Sequence, residues 1–214
     1  MPEPENRRPL ASRQTGWAQG TATWLAGTRI TPNQISQLAM LAALLAGLCF
    51  WAAGSASGIG RVLALLAGAG FCQIRLLCNL FDGMVAVEAG RGSPDGGFWN
   101  EFPDRVSDAL ILVGLGLGLG EPTLGWAAAG FAFLTAYVRE LGVNLGQGAD
   151  FSGPMAKQHR MAVVTAGAVL SVLEPLWGGH GGVLRVALWV VALGGALTVL
   201  RRATRLVLKL RSGS

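Results

Sequence analysis

Long apolar blocks that contain almost no charged residues dominate the chain. No charged residue stands between Arg29 and Arg61, and about 20 apolar residues suffice for a helix to cross a bilayer. Blocks of this kind predict six membrane helices, at residues 35–53, 62–81, 104–120, 123–138, 161–173 (extended by Leu176 and Trp177) and 186–200. The pattern therefore predicts an all-α fold, a bundle of six transmembrane helices.

Composition supports this prediction and excludes other classes. Apolar residues make up 51% of the 214 residues and charged residues 14%, against about 25% charged residues in soluble domains. A disordered chain has the opposite bias, with few apolar and many charged residues. The 32 glycines suit membrane helices, whose backbones approach closely at small residues. The sequence indicates an integral membrane protein with no room for a separate soluble domain.

Basic residues set the expected orientation. Of the 17 Lys and Arg residues, 14 fall on the side of both termini, among them Arg7, Arg8 and Arg91. Since basic loops stay in the cytoplasm, both termini are expected there, and a bacterial inner membrane is the expected location. We divide the chain into an N-terminal segment at 1–29, lying partly in the membrane interface, a six-helix membrane domain at 30–203 and a basic tail at 204–214. The net charge of +5 favours contact with anionic lipids, and no motif favours nucleic acid.

Polar residues repeat at helical spacing on two neighbouring predicted helices. Arg75, Asn79, Asp82, Gly83 and Ala86 share one face of the second helix, and Asn100, Asp104 and Asp108 share one face at the start of the third. The Gly-rich turn between them brings both faces to one end of the bundle. Carboxylate and amide oxygens are the ligands that Mg²⁺ and Mn²⁺ prefer. The alternative is that these acids only reach for water at the helix ends.

Three segments resemble one family of membrane enzymes. The pattern Asn79-x2-Asp82-Gly83-x2-Ala86 followed by Gly96-x3-Asn100-x3-Asp104 resembles D-x2-D-G-x2-A-R-x8-9-G-x3-D-x3-D, the signature of the CDP-alcohol phosphatidyltransferases. Thr31-Pro32-Asn33-Gln34-Ile35-Ser36 is similar to that family's segment before the first membrane helix, and Gly153-Pro154-Met155-Ala156-Lys157 to its lysine segment before the fifth. The resemblance extends from about residue 29 to the last helix.

The chain departs from the family's pattern at three positions. Asn79 and Asn100 stand where the family has its first and third aspartates, and Val87 stands where it has an arginine. The remaining carboxylates, Asp82 and Asp104, neutralise one divalent ion and not two. The number of bound ions, one or two, therefore remains open. The carboxylates of Glu88, Glu101 and Asp108 are candidates to replace the lost negative charge. Arg75 is a candidate to take over a phosphate contact that a second ion would otherwise make.

The resemblance implies transfer of a phosphatidyl group from CDP-diacylglycerol to a small polar alcohol, with release of CMP. It implies that Mg²⁺ or Mn²⁺ binds Asp82, Asp104, Asn79 and Asn100, and that Asp104 acts as general base on the alcohol. It places the nucleotide beside Asn33, Gly83, Ala86, Gly96 and Arg75, although the small residues among these also suit helix packing. It further implies a homodimer whose active site faces the cytoplasm.

Three cations share the predicted loop between the fourth and fifth helices. Arg139, Lys157 and Arg160 favour an acceptor that itself carries a phosphate, such as glycerol 3-phosphate or inositol phosphate. The alternative is that they only set the topology. Two other functions are left open: a catalytically impaired relative, which binds nucleotide-lipid or a partner enzyme, and a small transporter. The two asparagines keep the impaired relative open, and the transporter fits less well because the polar cluster lies at one membrane edge.

Overall fold

The computed structural model describes residues 11–88, 90 and 94–212, and within them the protein is helical with no strand. Arg7, Arg8, Arg91 and the side chain of Glu88 lie outside the described part. The α-helices are α1 (Gly16–Ala26), α2 (Pro32–Ser55), α3 (Gly58–Glu88), α4 (Gly96–Gly118), α5 (Pro122–Asn144), α6 (Lys157–Ser171) and α7 (Gly182–Ser212). Short 3-10 helices stand at Ala11–Gln14 and Glu174–Trp177. The predicted all-α class is confirmed for these residues.

The six predicted blocks coincide with α2 to α7. Within the described residues, three stretches are long and apolar enough to cross a membrane, Pro32–Ser55, Gly58–Val87 and Gly182–Ser212. The number of six crossings therefore stays a prediction. The extension of the fifth block through Leu176 and Trp177 is wrong, because α6 ends at Ser171 and the Glu-Pro pair begins a 3-10 turn. α7 continues through residues 204–212, which the sequence assigned to a tail.

The Thr-Pro-Asn-Gln segment forms the cap at the beginning of α2. The Thr31 hydroxyl accepts from the Gln34 N–H (3.2 Å), and the Gln34 side-chain oxygen accepts from the Thr31 N–H (3.0 Å). Pro32 occupies the first helical position, where a missing N–H costs nothing. This reciprocal capping box fixes the start of α2.

The six long helices form a ring. α2 packs along both α3 and α4, α4 continues to α5, α5 to α7, α7 to α6, and α6 returns to α3, while α3 and α4 touch each other only briefly. Their shared core includes Phe50, Leu115, Met161 and Leu188. α1 lies outside this ring and packs on α3 through Ala18 and Ala22, and the rings of Trp17 and Phe81 meet edge to face at 6.0 Å.

Glycines permit the close contact between α2 and α4. A Cβ on Gly47 would collide with the backbone of Leu110, and one on Gly114 with the backbone of Gly47. Gly118 meets Phe50 in the same way, and Gly116 meets Gly125 of α5. The sequence left open whether the glycines of α4 serve contacts within or between subunits, and these three pack within the chain.

Candidate active site

One end of the ring carries a cluster of buried charges, which we call the polar end; here α3 and α5 end, and α4 and α6 begin. Asp82 lies near the end of α3 and is 6% exposed. Its carboxylate accepts from the Ser36 hydroxyl of α2 (2.8 Å) and from the Gly83 N–H (2.6 Å). The capped first turns of α2 therefore hold Asp82 in place, a role for Ser36 that sequence reasoning did not assign.

Asp104 lies opposite on α4 and is also buried. The Lys157 ammonium, at the first residue of α6, donates to a carboxylate oxygen of Asp104 and to the Asn79 side-chain oxygen (3.3 Å). Asp82 is near enough for its charge to interact with those of Asp104 and Lys157. The structure thus brings together four predicted residues from three helices, with a cation between the oxygens of Asn79 and Asp104.

A second layer of charge lies one helical turn deeper. Arg75 is fully buried and donates to Asp104 (3.3 Å) and to Asp108 (3.0 Å). Arg160 donates to the other oxygen of Asp108 (2.5 Å) and to the Met155 carbonyl (3.0 Å). Removing one partner of such a buried pair is costly, because the other charge is left without compensation. Asp108 therefore fixes both arginines, and Arg75 contacts carboxylates in this structure.

Other predicted site residues lie at the edge of this cluster. Asn100 is exposed and makes no side-chain hydrogen bond with any described residue. Asn33 donates to a carboxylate oxygen of Asp95 (3.4 Å), the residue just before α4, and so joins the beginnings of α2 and α4. Gly96 is the first residue of α4, and Gly83 and Ala86 are half-buried on α3.

Arg139, the remaining predicted acceptor contact, is held by two carboxylates. It pairs with Glu101 (2.5 Å) and with Glu140 (2.8 Å), and its guanidinium lies 5.7 Å from the centre of the Phe151 ring. Glu101 also pairs with Arg105 (3.6 Å). Of the three carboxylates expected to compensate for the asparagines, Glu101 and Asp108 are thus already paired with arginines, and the side chain of Glu88 lies outside the described residues.

Arg202 of α7 belongs to the same polar interior, and sequence reasoning counted it only as a topological charge. It is buried and donates to the carbonyls of Thr135 (2.7 Å) and Ser152 (2.9 Å). Thr135 also accepts from Arg160 (3.3 Å) through its hydroxyl. The signal available in the sequence was the spacing of four from Thr198 to Arg202, which places both on one face of α7.

The oxygens at the polar end are of the kind that bind a divalent cation. Asp82 and Asp104 supply two carboxylates and Asn79 an amide oxygen, the hard ligands that Mg²⁺ and Mn²⁺ take. Among the described residues no group of three or more His, Cys, Asp and Glu side chains is arranged to hold a metal.

Sequence comparison assigns the chain to a family. It is 30% identical over 195 residues to the phosphatidylinositol phosphate synthase of Mycolicibacterium smegmatis, covering 82% of this chain and 85% of the relative. The chain belongs to the CDP-alcohol phosphatidyltransferases. It is also 30% identical over 156 residues to the archaetidylinositol phosphate synthase of Methanothermobacter thermautotrophicus, covering 72% of this chain and 74% of that one. No protein-family model matches the chain.

A solved CDP-alcohol phosphatidyltransferase shares the fold. The phosphatidylinositol phosphate synthase of Mycobacterium tuberculosis, crystallised with CDP-DAG bound, superposes with a TM-score of 0.72 at 21% identity, covering 88% of this chain and 92% of that one. The same enzyme crystallised with manganese and citrate gives the same TM-score. Its membership of the CDP-alcohol phosphatidyltransferases makes the chain an enzyme, and with its three apolar helices it is an integral membrane protein.

Proposed function

We propose that the enzyme transfers the phosphatidyl group of CDP-diacylglycerol to a hydroxyl of a phosphorylated polyol, such as inositol phosphate, and releases CMP. The observation that supports this most directly is the Lys157 ammonium held between the oxygens of Asn79 and Asp104. The Asp82 carboxylate is near enough for its charge to interact with it, and Arg160 lies in the layer beneath. The curated relatives described above are named as synthases of phosphorylated inositol lipids.

One divalent ion, Mg²⁺ or Mn²⁺, is held by Asp82, Asp104 and Asn79 in this proposal. Such an ion neutralises charge on the pyrophosphate and stabilises the departing CMP. A relative of the same fold was crystallised with manganese. Lys157 has to leave Asp104 and Asn79 when the ion enters, because its ammonium lies against the same two oxygens. The freed ammonium is then available to the phosphates of the substrates.

Asp104 is the general base. The acceptor hydroxyl gives its proton to the Asp104 carboxylate, its oxygen bonds to the phosphorus that carries diacylglycerol, and the bond from that phosphorus to CMP breaks. Displacement of Lys157 is a requirement, since its ammonium lies against the Asp104 oxygen that would receive the proton. Asn33, Gly83, Ala86 and Gly96, at the same end of the ring, are assigned to the nucleotide. Arg75 lies beneath them and holds Asp104 and Asp108.

The acceptor's phosphate is assigned to Lys157, Arg160 and Arg139. Arginine suits phosphate because its planar fork donates two parallel hydrogen bonds. In the structure Arg139 and Arg160 are oriented by Glu101 and Asp108. These carboxylates reduce the net positive charge around the two arginines. The site therefore selects a phosphate by the geometry of its hydrogen bonds as well as by charge.

The test is release of CMP by the purified full chain from CDP-diacylglycerol. Each assay contains one acceptor, either inositol phosphate, glycerol 3-phosphate, inositol or glycerol, and is run with Mg²⁺, with Mn²⁺ or with a chelator. We expect release only with a divalent ion and with a phosphorylated acceptor. Release with unphosphorylated inositol at the same rate would contradict the acceptor assignment, and release in chelator would contradict the metal.

Matched variants separate the site from general damage. Asp82→Asn and Asp104→Asn should each reduce the rate by at least about a hundredfold, the scale of a lost acid–base or charge-stabilising group. Glu121→Gln makes the same chemical change at the other end of the ring, where Glu121 pairs with Arg185, and should retain activity. Full activity of Asp104→Asn would contradict its role as base.

Orientation and assembly complete the proposal. The excess of Lys and Arg at the polar end supports a cytoplasmic active site in a bacterial inner membrane, with both termini on that side. We also propose a homodimer, as the family resemblance implies. Labelling of single cysteines introduced at positions 180 and 211 tests the orientation, and mass measurement in mild detergent tests the dimer.

A further inference from the structure

A cavity of about 230 Å³ lies at the end of the ring opposite the polar end. Its walls come from the last turns of α2 and α4, the first turns of α3 and α7, and the turn before α7. The lining residues are Phe50, Ala53, Gly54, Arg61, Leu65, Leu115, Gly118, Leu119, His180, Gly181, Leu184 and Arg185. Residues 61 and 82 are 21 positions apart, which is about 31 Å along α3, so this cavity is separate from the candidate active site.

Arg61 is built into the wall of this cavity. It is 7% exposed, and its guanidinium donates to Glu174 (2.9 Å) and lies 3.2 Å from a ring nitrogen of His180. Glu174, fully buried, also accepts from the N–H groups of Gly181 (2.8 Å) and Val183 (2.6 Å). Arg61 is thus held in one orientation, yet its Nε is buried and has no hydrogen-bond partner in the described part of the chain.

The charged and titratable residues that line the cavity are all basic. They are Arg61, His180 and Arg185, and among the described residues the lining contains no carboxylate. Arg185 pairs with Glu121, which lies outside the lining, and its side chain is 47% exposed at the rim. The opposite wall is apolar, with Phe50, Leu115 and Leu184. A group that fits both walls carries a negative charge at one end and hydrocarbon at the other.

We propose that this cavity binds the phosphate headgroup of an anionic phospholipid, on the membrane face opposite the candidate active site. A phosphate oxygen that accepts from a guanidinium makes a charge-assisted hydrogen bond, and a bond of this kind is strong. The volume is below the roughly 300–1,000 Å³ typical of drug-sized ligands. It therefore accommodates a headgroup and the first carbons of the acyl chains, while the rest of the lipid stays in the bilayer.

Native mass spectrometry of the purified full chain tests this site. Phosphatidylglycerol, phosphatidylcholine and inorganic phosphate are titrated separately, and phosphate is also added as a competitor of phosphatidylglycerol. We expect one tightly held phosphatidylglycerol and no comparable phosphatidylcholine. Competition by inorganic phosphate supports recognition of the phosphate itself, and its absence supports recognition of the intact lipid. Equal retention of both lipids would overturn the proposal.

Four variants separate binding in the cavity from general lipid contact. His180→Gln with Arg185→Gln removes charge at the rim, and Ala53→Leu fills space without changing charge. Each should weaken phosphatidylglycerol binding by about tenfold, as expected for the loss of charge-assisted hydrogen bonds or of room for the ligand. Arg201→Gln, exposed at the polar end, should leave it unchanged. Unchanged binding in both the double variant and Ala53→Leu would overturn the proposal. Arg185→Gln alone, at a half-exposed position, guards against misfolding.

Discussion

Asp108 is a single buried carboxylate whose two oxygens hold Arg75 and Arg160 at 3.0 and 2.5 Å. Asp108→Asn removes the negative charge from both, and breaking a buried pair costs about 3–5 kcal/mol, so the variant should unfold at a lower temperature. Because Arg160 is a proposed contact of the acceptor, we expect the KM of the acceptor to rise about tenfold in this variant. The KM of CDP-diacylglycerol should change little. Initial rates with each substrate varied in turn measure both.

The control for this prediction is Ser107→Ala. Ser107 is the neighbouring residue on α4, is fully buried, and its hydroxyl has no hydrogen-bond partner in the described residues. It should therefore change neither KM. Equal increases of both KM values in Asp108→Asn would indicate general disruption instead of positioning of Arg160.

Lys157 competes with a divalent ion for the oxygens of Asp104 and Asn79. Lys157→Met removes that charge while keeping an unbranched side chain, and charges at such distances in a protein interact by several kcal/mol at most. We expect Mn²⁺ to bind about tenfold more tightly and turnover to fall, because the substrate phosphates lose a cation. Loss of the free Mn²⁺ signal in electron paramagnetic resonance measures the affinity. Lys209→Met, exposed near the end of α7, should alter neither quantity.

For individual site residues, the sequence predicted which ones share a face of one helix but missed the partners that come from distant segments. The helical period places Arg75, Asn79 and Asp82 on one face, and Asp104 and Asp108 on another. By contrast, Lys157 meets Asp104 across 53 positions, and Arg160 meets Asp108 across 52. Such pairs depend on where the loop before α6 delivers that helix, and no local pattern encodes this.

Among the helices, the contact of α2 with α4 depends on the absence of side chains at a few positions. Gly114→Ala places a Cβ against the backbone of Gly47, and two backbones have to move apart to admit it. We expect a loss of about 1–3 kcal/mol, the usual cost of overpacking, seen as a lower unfolding temperature in detergent. Gly130→Ala on α5 meets open space and should be neutral or slightly stabilising, because alanine favours helix. Equal stability of the two variants would contradict this packing.

The helices themselves were predictable to the extent that hydropathy marks them. The apolar parts of α2, α3, α5 and α7 were found because each is a long apolar block, interrupted by a charge only at Arg75 of α3. The first two turns of α4 are rich in polar and aromatic residues, so the predicted helix began at Asp104 and not at Gly96. Sequence also gave no indication that α2 lies between α3 and α4, because ring order depends on packing over the whole length of each helix.

At the level of the whole molecule, Glu174 links α3 to the turn before α7. Burial alone raises the pKa of Glu174, but the N–H groups of Val183 and Gly181 and the charge of Arg61 outweigh burial and hold it below 4.5. The carboxylate therefore stabilises the fold above its unfolded pKa, and this stabilisation is lost as the pH falls through the lower folded value. We expect Glu174→Gln to unfold at a lower temperature than the native chain at pH 7, with the difference shrinking below about pH 4.

Thermal unfolding from pH 3 to pH 7 measures this difference. Glu140→Gln is the matched change at a carboxylate that is 46% exposed, and exposed pairs contribute about 0–1 kcal/mol. Its curve should run parallel to that of the native chain. A gap between native chain and Glu174→Gln that persists unchanged at pH 3 would show that the glutamate acts through packing and not through its charge.

The 15 residues of α6 have a consequence for how the enzyme senses its membrane. They span about 22 Å, less than the roughly 30 Å of a hydrocarbon core, so the predicted crossing by α6 would concentrate hydrophobic mismatch on one side of the ring. A bilayer that thins there leaves Lys157 and Arg160 at the water boundary, whereas a thick bilayer pulls them inward. Turnover in vesicles should therefore fall as the acyl chains lengthen from 14 to about 22 carbons, a range chosen to bracket this mismatch. The turnover of this enzyme would then depend on the thickness of its membrane as well as on the concentration of its substrates.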